Sequence, residues 1–287
     1  MASQQTSTMS FTTTTHLIDL QRDVKLHVKR SFPTREPPIP AAEMTAVIFL
    51  HFWGGSISTC AQVNALVATT CPTIRIDFRG WGNSIGPDDE MEYSTIKLAQ
   101  DVENIIRHLH LKSYIIVGHS MGAKVAQAVA GRKVNYGLVG LVLACPAPPT
   151  PLNLSHEMRD QQMHAYDNAQ NAEFVTQRVL TSKQLPIDIV QSTVNDMLKA
   201  SSHAKRAWPE YAMGENILDL AKSIQVPVLV IAAGKDVVEP VSRVKAEVCA
   251  NIPGARLITI DDSGHLIPLE APEEMAEIII GFLSNPE

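Results

Sequence analysis

Short apolar runs alternate along this chain with longer segments in which apolar residues recur every three or four positions. The runs are rich in β-branched residues and fall at residues 46–51, 73–78, 114–117, 138–144, 226–232 and 256–260. Strands buried on both faces of a parallel sheet have this composition. Between the runs, residues such as Leu98, Val102 and Ile105 line one face of a helix. The alternation predicts an α/β fold with a mostly parallel sheet and helices on both of its faces.

The pattern is different at the amino-terminal end. Residues 16–20 and 24–28 alternate apolar and polar positions around the turn Gln21-Arg22-Asp23, which is typical of a two-stranded hairpin. Residues 1–15 are polar and rich in threonine, and we expect them to form a flexible tail.

One long interval, residues 147–221, has no strand pattern. Its apolar residues have helical spacing, so we predict a helical insertion between two strands. The predicted division is a core of residues 16–146 and 222–287, with residues 147–221 as a helical cap. Open α/β sheets bind ligands at the carboxyl ends of their strands, which makes a lid over an active site the functional interpretation. The alternative is a structural excursion without a role in binding.

Composition excludes several classes of function. Hydrophobic residues make up 45% of the chain and charged residues 19%, which is typical of a globular protein. The formal net charge is −6 and basic residues do not cluster, so neither nucleic acid nor an anionic membrane is an expected partner. The four cysteines, Cys60, Cys71, Cys145 and Cys249, are too scattered to suggest a zinc or redox motif. No segment resembles a signal peptide or a membrane span, and we expect a cytoplasmic location.

The most specific local motif is Gly118-His119-Ser120-Met121-Gly122. It follows an apolar run and precedes a helical segment, which is the strand–turn–helix context of a nucleophile elbow. Such a turn raises the serine hydroxyl above the sheet in a strained conformation, and the glycines avoid clashes with neighbouring backbone. We therefore predict that Ser120 is a nucleophile, which needs a histidine as base and an acid to orient that histidine.

His265 and Asp236 are the predicted partners of Ser120. His265 lies between the last strand and the terminal helix, and Asp236 follows the strand at residues 226–232, so both fall at the carboxyl edge of the sheet. The chain order Ser, Asp, His is that of a nucleophile-elbow triad. Other candidates receive simpler roles: Asp261 and Asp262 as turn formers, Asp77, Glu239 and Glu270 as surface or loop-anchoring carboxylates, and His51 and His119 as structural histidines.

Cleavage of an acyl group also requires donors for the oxyanion of the tetrahedral intermediate. The N–H of Met121, directly after the nucleophile, is the first predicted donor. The second is assigned to the N–H of Trp53, whose side chain either walls the pocket or simply packs. The predicted pocket lining consists of Phe52, His119, Met158, Tyr166, Trp208 and Leu266.

On these motifs the chain resembles the α/β-hydrolase superfamily over residues 16–283. The segment Asp77-Phe78-Arg79-Gly80-Trp81-Gly82-Asn83-Ser84 is similar to that family's D-x-R-G-x-G-x-S loop, and the insertion falls where the family places its cap. Within the superfamily the chain looks most like small serine esterases and cofactor-free haloperoxidase-like (perhydrolase) enzymes. One departure is Phe52, since most relatives have glycine at this position of the oxyanion loop. The resemblance implies neither a metal nor an organic cofactor.

The expected activity is hydrolysis of a carboxylic ester or lactone of a small to medium, largely apolar substrate through an acyl-enzyme. The serine at the elbow argues against the epoxide hydrolases and haloalkane dehalogenases of this fold, which use an aspartate. Two alternatives stay open. One is C–C bond hydrolysis, lyase or perhydrolase chemistry with the same triad, and the other is a slow-turnover ligand receptor on the same fold.

Overall fold

A computed structural model describes residues 10–34 and 44–285. Within this part of the chain, eight strands form one sheet. They are β1 (Phe11–Gln21), β2 (Val24–Pro33), β3 (Ala46–Leu50), β4 (Thr73–Ile76), β5 (Tyr114–His119), β6 (Leu138–Ala144), β7 (Val228–Ala233) and β8 (Arg256–Ile260). Their order across the sheet is β1-β2-β4-β3-β5-β6-β7-β8. The β1–β2 and β2–β4 pairs are antiparallel and the others are parallel, which confirms the predicted mostly parallel sheet.

The amino-terminal hairpin is longer than predicted. β1 begins at Phe11, which pairs with Pro33 of β2, so the predicted flexible tail is wrong for residues 11–15. Residues 12–15 are threonines, which favour strands but carry no apolar signal. Residues 1–9 of the predicted tail lie outside the described residues.

Helices cover the sheet and fill the interval between β6 and β7. The α-helices are α1 (Ala61–Val67), α2 (Thr95–His108), α3 (Met121–Arg132), α4 (His156–Met163), α5 (Ala169–Val175), α6 (Ile187–Lys199), α7 (Ser202–Glu210), α8 (Leu218–Lys222), α9 (Val241–Arg243), α10 (Ile267–Glu270) and α11 (Pro272–Ser284). Short 3₁₀ or π-helical turns occur at Glu90–Tyr93, Thr176–Leu180, Ala212–Gly214, Val244–Val248 and Cys249–Asn251. In residues 10–34 and 44–285, no helix has both the length and the apolarity that crossing a bilayer requires.

Successive strand residues point to opposite faces of the sheet, and each face has its own core. On one face, Phe49 and Val117 pack with Phe282 of α11. On the other face, Leu50 packs in a second core that includes Ile105 of α2. The predicted coverage of both faces by helices is therefore confirmed.

Helices α4 to α7 lie between β6 and β7, as expected of a helical insertion. They contact the core near the carboxyl ends of the strands: the Tyr166 hydroxyl donates to the carbonyl oxygen of Trp53 (2.9 Å), and the Leu266 N–H donates to that of Leu180 (3.0 Å). The last helix of the interval, α8, packs instead against α3 in the layer that covers the sheet. The carboxyl-terminal end of the predicted cap range, residues 147–221, thus joins the core layer.

Candidate active site

Ser120 lies in the sharp turn that joins β5 to α3. Its φ is 54° and its ψ is −113°, a backbone conformation that residues other than glycine rarely adopt. A Cβ on Gly118 would lie 2.4 Å from the carbonyl oxygen of Gly122, and a Cβ on Gly122 would lie 2.5 Å from that of Leu50. Only glycine fits at these two positions, which is the packing reason for the G-x-S-x-G pattern.

The side chains of Ser120, His265 and Asp236 form a continuous chain of hydrogen bonds. His265 Nε2 lies 2.9 Å from Ser120 Oγ, and His265 Nδ1 lies 2.7 Å from Asp236 Oδ2. Asp236 follows β7 and His265 follows β8, so neighbouring parallel strands carry both residues to the edge where the elbow lies. When Nδ1 donates to the carboxylate, Nε2 has a lone pair for the serine hydroxyl. An imidazole in this position can remove the serine proton.

Burial and charge act in opposite directions on the two ionisable partners. Burial would raise the pKa of Asp236, but the charge and hydrogen bond of His265, with the N–H groups of Glu239 and Val238, lower it to about 2. Burial would lower the pKa of His265, but the adjacent Asp236 carboxylate raises it above its ordinary value. The ionised carboxylate therefore favours the imidazolium that forms when His265 accepts a proton.

His119, within the elbow, holds the loop that carries His265. Its Nε2 donates to the carbonyl oxygen of His265 (2.7 Å), and its ring lies 5.3 Å from the ring of Phe52. Burial, with the nearby charge of His265, lowers the pKa of His119 to about 3, so the ring is neutral. The geometry agrees with the structural role that the sequence indicated.

Several groups fix the backbone of the loop that follows β3. His51 Nδ1 (2.7 Å) and the Gly55 N–H (3.0 Å) both donate to the carbonyl oxygen of Phe52. In a trans peptide the C=O and N–H point in opposite directions, so the Trp53 N–H is directed away from these two donors. Across the described residues, neither this N–H nor that of Met121 donates to another protein group. The two donors predicted for an oxyanion are therefore unengaged.

Asp77, which directly follows β4, holds the same loop. Its Oδ1 accepts from the N–H of Ile57 (2.6 Å), and its Oδ2 accepts from the N–H of Asn83 (2.9 Å) and from His27 Nδ1 (2.7 Å). The carboxylate is completely buried, so of the two interpretations made from the sequence, surface or loop-anchoring, the structure agrees with loop-anchoring.

Glu270 anchors the other side of the site. Its Oε2 accepts from the N–H of Gly264 (2.6 Å), and its Oε1 accepts from the N–H groups of Ser182 and Lys183 (both 2.7 Å). One carboxylate therefore joins the loop before His265 to the helical insertion.

The predicted pocket residues do not all reach one place. Four of them are buried beside the triad or the oxyanion loop: Phe52, His119, Tyr166 and Leu266. Trp208 is buried within α7 of the insertion. Met158 differs, because it lies on α4, a helix without buried residues, and 53% of it is exposed. The structure thus places Met158 on the surface of the insertion. The assignment to the pocket failed because it was based only on the apolar character of this residue.

Two buried side chains near the triad were not predicted to lie there. Cys145 directly follows β6, and its Sγ lies within 4.8 Å of an Asp236 carboxylate oxygen and of a His265 ring nitrogen. These three groups could approach a metal ion, but burial raises the thiol pKa well above its ordinary value and disfavours the thiolate that a metal would need. Glu239 was predicted to be a surface or a loop-anchoring carboxylate; it is 3% exposed and so does not lie on the surface, and burial raises its pKa to about 7. Its only signal in the sequence is its position three residues after Asp236.

Two cavities lie apart from this site. One of about 160 Å³ opens beside Arg30 and Lys112 at the amino-terminal ends of the strands, and one of about 30 Å³ lies beside Thr59 and Asp196. Neither lining includes a triad residue.

Comparison with known proteins identifies the family. A sequence model of the Alpha/beta hydrolase family matches residues 47–278. The AB hydrolase superfamily protein YisY of Bacillus subtilis (strain 168) is 26% identical over 249 residues, which cover 83% of this chain and 91% of that protein. The chain belongs to the alpha/beta hydrolase family, and the resemblance based on its motifs is confirmed.

Solved structures show the same architecture. The esterase (EaEST) from Exiguobacterium antarcticum aligns with a TM-score of 0.80 and 22% identity, covering 91% of this chain and 96% of that one. The enol-lactonase from Burkholderia xenovorans LB400 aligns with a TM-score of 0.77 and 18% identity, covering 91% and 97%. At these identities the likeness establishes the fold.

Proposed function

We propose that this protein is a serine hydrolase that cleaves a carboxylic ester or lactone through an acyl-enzyme. The proposal is carried by the hydrogen-bond chain from Ser120 through His265 to Asp236, with distances of 2.9 and 2.7 Å. The names of two structural neighbours, an esterase and an enol-lactonase, support the same class of reaction.

In the acylation step, Ser120 Oγ attacks the substrate carbonyl carbon while His265 Nε2 takes the hydroxyl proton. The Asp236 carboxylate, with its pKa lowered to about 2, is ionised at neutral pH and stabilises the imidazolium. The proton then passes from His265 to the leaving alkoxide, which completes the acyl-enzyme. In a lactone this alkoxide stays attached to the acyl group.

The N–H groups of Met121 and Trp53 are the donors for the oxyanion. The first belongs to the start of α3, where backbone N–H groups point out of the helix and carry partial positive charge. The second is turned away from the groups that hold the Phe52 carbonyl. Both hydrogen bonds would strengthen as charge develops on the carbonyl oxygen.

Deacylation repeats these steps with water. His265 takes a proton from a water molecule, which attacks the acyl carbon, and returns that proton to Ser120 Oγ as the acid departs. Proton transfer and oxyanion stabilisation by these residues complete the cycle with neither a metal nor an organic cofactor. The surrounding side chains of Phe52 and Leu266 are apolar, which favours a small to medium, largely apolar substrate.

The proposal is tested with a fluorophosphonate probe and a series of p-nitrophenyl esters of increasing chain length, in buffer containing EDTA. We expect the wild type to be labelled and to turn over short or medium esters. Ser120→Ala should lose labelling and about 10⁴-fold or more of kcat, because the nucleophile is missing.

Ser284→Ala, which removes an exposed hydroxyl from α11, is the control and should match the wild type. Full activity of Ser120→Ala would overturn the proposal. Labelling without turnover of these esters or of simple γ- and δ-lactones assayed beside them would also overturn it, in favour of C–C bond cleavage or a ligand receptor built on the same site.

A further inference from the structure

The helical insertion holds the predicted oxyanion loop through a closed set of three hydrogen bonds. The Tyr166 hydroxyl donates to the carbonyl oxygen of Trp53 (2.9 Å), and Trp53 Nε1 donates to the carbonyl oxygen of Lys205 (3.0 Å). Lys205 Nζ in turn donates to the carbonyl oxygen of Tyr166 (3.4 Å). Two segments of the insertion are thus bonded to one residue of the core and to each other.

Packing reinforces the bond between Tyr166 and Trp53. Their ring centroids lie 4.2 Å apart at an interplanar angle of 34°. The tyrosine ring covers the backbone so closely that a Cβ on Gly54 would lie 2.6 Å from its hydroxyl oxygen. Gly54 also has φ +102°, a conformation that suits glycine. The loop is therefore built to accept the Tyr166 side chain directly over its backbone.

The Tyr166 hydroxyl acts as a donor at this position. The residue is 2% exposed, and burial raises the pKa of the phenol, so the hydroxyl stays protonated. Its partner is the carbonyl oxygen of Trp53, whose own N–H is the second donor proposed for the oxyanion. The preceding carbonyl, that of Phe52, is held by groups of the core. Core and insertion thus each fix one of the two peptide groups that flank the Trp53 Cα.

We propose that Tyr166 is a positioning residue for the oxyanion hole, which sets the direction of the Trp53 N–H through the Trp53 carbonyl. This inference rests on the proposed serine hydrolase function. It assigns Tyr166 a task different from lining the substrate pocket, since the hydroxyl acts on the loop. It also couples the insertion to the chemistry, because a displaced insertion would release the loop.

The test is Tyr166→Phe, which keeps the ring and removes the hydroxyl. With the p-nitrophenyl ester that the wild type hydrolyses fastest, we expect kcat to fall about tenfold and KM to change less than about twofold. Complete removal of an oxyanion donor costs more, about 10²–10³-fold in kcat, since there the donor itself is lost.

A second readout isolates the oxyanion. A phenyl trifluoromethyl ketone adds to Ser120 and forms a tetrahedral oxyanion, whereas phenyl methyl ketone stays largely in its carbonyl form. Tyr166→Phe should weaken inhibition by the trifluoromethyl ketone about tenfold and leave inhibition by the methyl ketone unchanged. A change confined to general packing would weaken both alike.

The matched control is Tyr211→Phe. This tyrosine also lies in the insertion, and its hydroxyl donates to a core carbonyl, that of Glu90 (2.7 Å), and accepts from the N–H of Tyr93 (3.2 Å). Among the described residues it has neither a hydrogen bond nor a ring contact with Trp53. Its kcat and its trifluoromethyl ketone inhibition should match the wild type. Equal losses in the two variants would overturn the inference, as would wild-type behaviour of Tyr166→Phe.

A second variant guards against misfolding. Lys205→Met removes the Nζ donor to the Tyr166 carbonyl and should reduce kcat by about two- to fivefold, less than Tyr166→Phe, because the bond it removes is longer, 3.4 Å against 2.9 Å. If Tyr166→Phe does not fold, a wild-type kcat for Lys205→Met overturns the inference. Ser120→Ala separates the two proposals: if it is inactive while the Tyr166 and Lys205 variants are normal, only this inference fails.

Discussion

At Ser120 the backbone is held in a conformation that costs about 1–3 kcal/mol for a residue with a side chain. Hydrogen bonds to the Ser120 peptide groups counter this cost: its N–H donates to the carbonyl oxygen of Ala144, and its carbonyl accepts from the N–H groups of Ala123 and Ala147. These partners lie on α3, at the end of β6 and in the segment that follows β6. The strained turn is therefore fixed by the surrounding elements, and the hydroxyl is positioned before substrate arrives.

Gly122→Ala tests whether this close packing holds the elbow. The new Cβ would lie 2.5 Å from the carbonyl oxygen of Leu50 and 2.6 Å from that of His51, and backbone atoms of a central strand cannot move aside easily. We expect a loss of about 1–3 kcal/mol in the free energy of unfolding, measured in urea, together with a loss of ester turnover.

Gly281→Ala is the control for that substitution. Gly281 lies on the exposed side of α11, where a Cβ would meet nothing within 4 Å. Alanine is the better helix former, so this variant should gain about 0.5–1 kcal/mol. The packing explanation fails if Gly122→Ala is as stable as the wild type.

At the scale of elements, the D-x-R-G-x-G-x-S loop joins separate parts of the core. Arg79 makes a bidentate pair with Asp101 of α2, with N···O distances of 2.6 and 2.7 Å, and donates to the carbonyl oxygen of Glu92 (2.8 Å). Asp77, two residues earlier, holds the oxyanion loop. The D-x-R-G-x-G-x-S loop thus holds helix α2 through Arg79 and the loop after β3, at the proposed site, through Asp77.

Arg79→Met is predicted to be strongly destabilising. Both partners are at most 3% exposed at their side chains, so the substitution leaves the Asp101 carboxylate buried without its partner. We expect a loss of about 3–5 kcal/mol in urea unfolding, and partial recovery in Arg79→Met/Asp101→Leu, where the charge is also removed. Lys97→Met breaks a more exposed pair with Glu92 and should cost no more than about 1 kcal/mol. Similar losses for Arg79→Met and Lys97→Met would contradict the buried-pair explanation.

The sequence predicted where the parallel strands lie, and the errors in the bounds of β5 and β7 have local causes. β6 and β8 have the predicted bounds. β5 runs two residues further than predicted, because Gly118 and His119 continue the pairing with β6. The prediction ended at residue 117, where the apolar run ends. β7 begins at Val228 and not at residue 226, next to Pro227, which has no N–H to donate.

At the scale of the whole molecule, the grouping of Ser120, Asp236 and His265 at one edge of the sheet could be predicted from the sequence, because parallel strands place their carboxyl ends together there. The Tyr166–Trp53 contact could not be predicted in this way, because the two residues lie 113 positions apart. The apolar pattern of the insertion indicates that it is helical but not which core residues it contacts. The burial of Glu239 was missed for a related reason. Its segment lies outside the strands and helices of the predicted pattern, where no periodicity shows which side chains are buried, and only packing against the site excludes water from the carboxyl group.

Glu239 is expected to make the stability of the whole protein depend on pH. Burial raises its pKa to about 7 against the opposing charges of His265 and of Arg243, whose Nη1 lies 3.4 Å from Glu239 Oε2, whereas a glutamate in the unfolded chain titrates near 4.3. A raised pKa contributes stability that is fully present below about pH 4.3 and is lost as pH rises through about 7. Glu239→Gln cannot ionise, so its free energy of unfolding relative to the wild type should increase over this window and level off about 1–3 kcal/mol higher near pH 7.5. Glu277→Gln, on the exposed side of α11, should follow the wild type throughout, and a Glu239→Gln difference that does not vary between pH 4.5 and 7.5 would contradict the assignment.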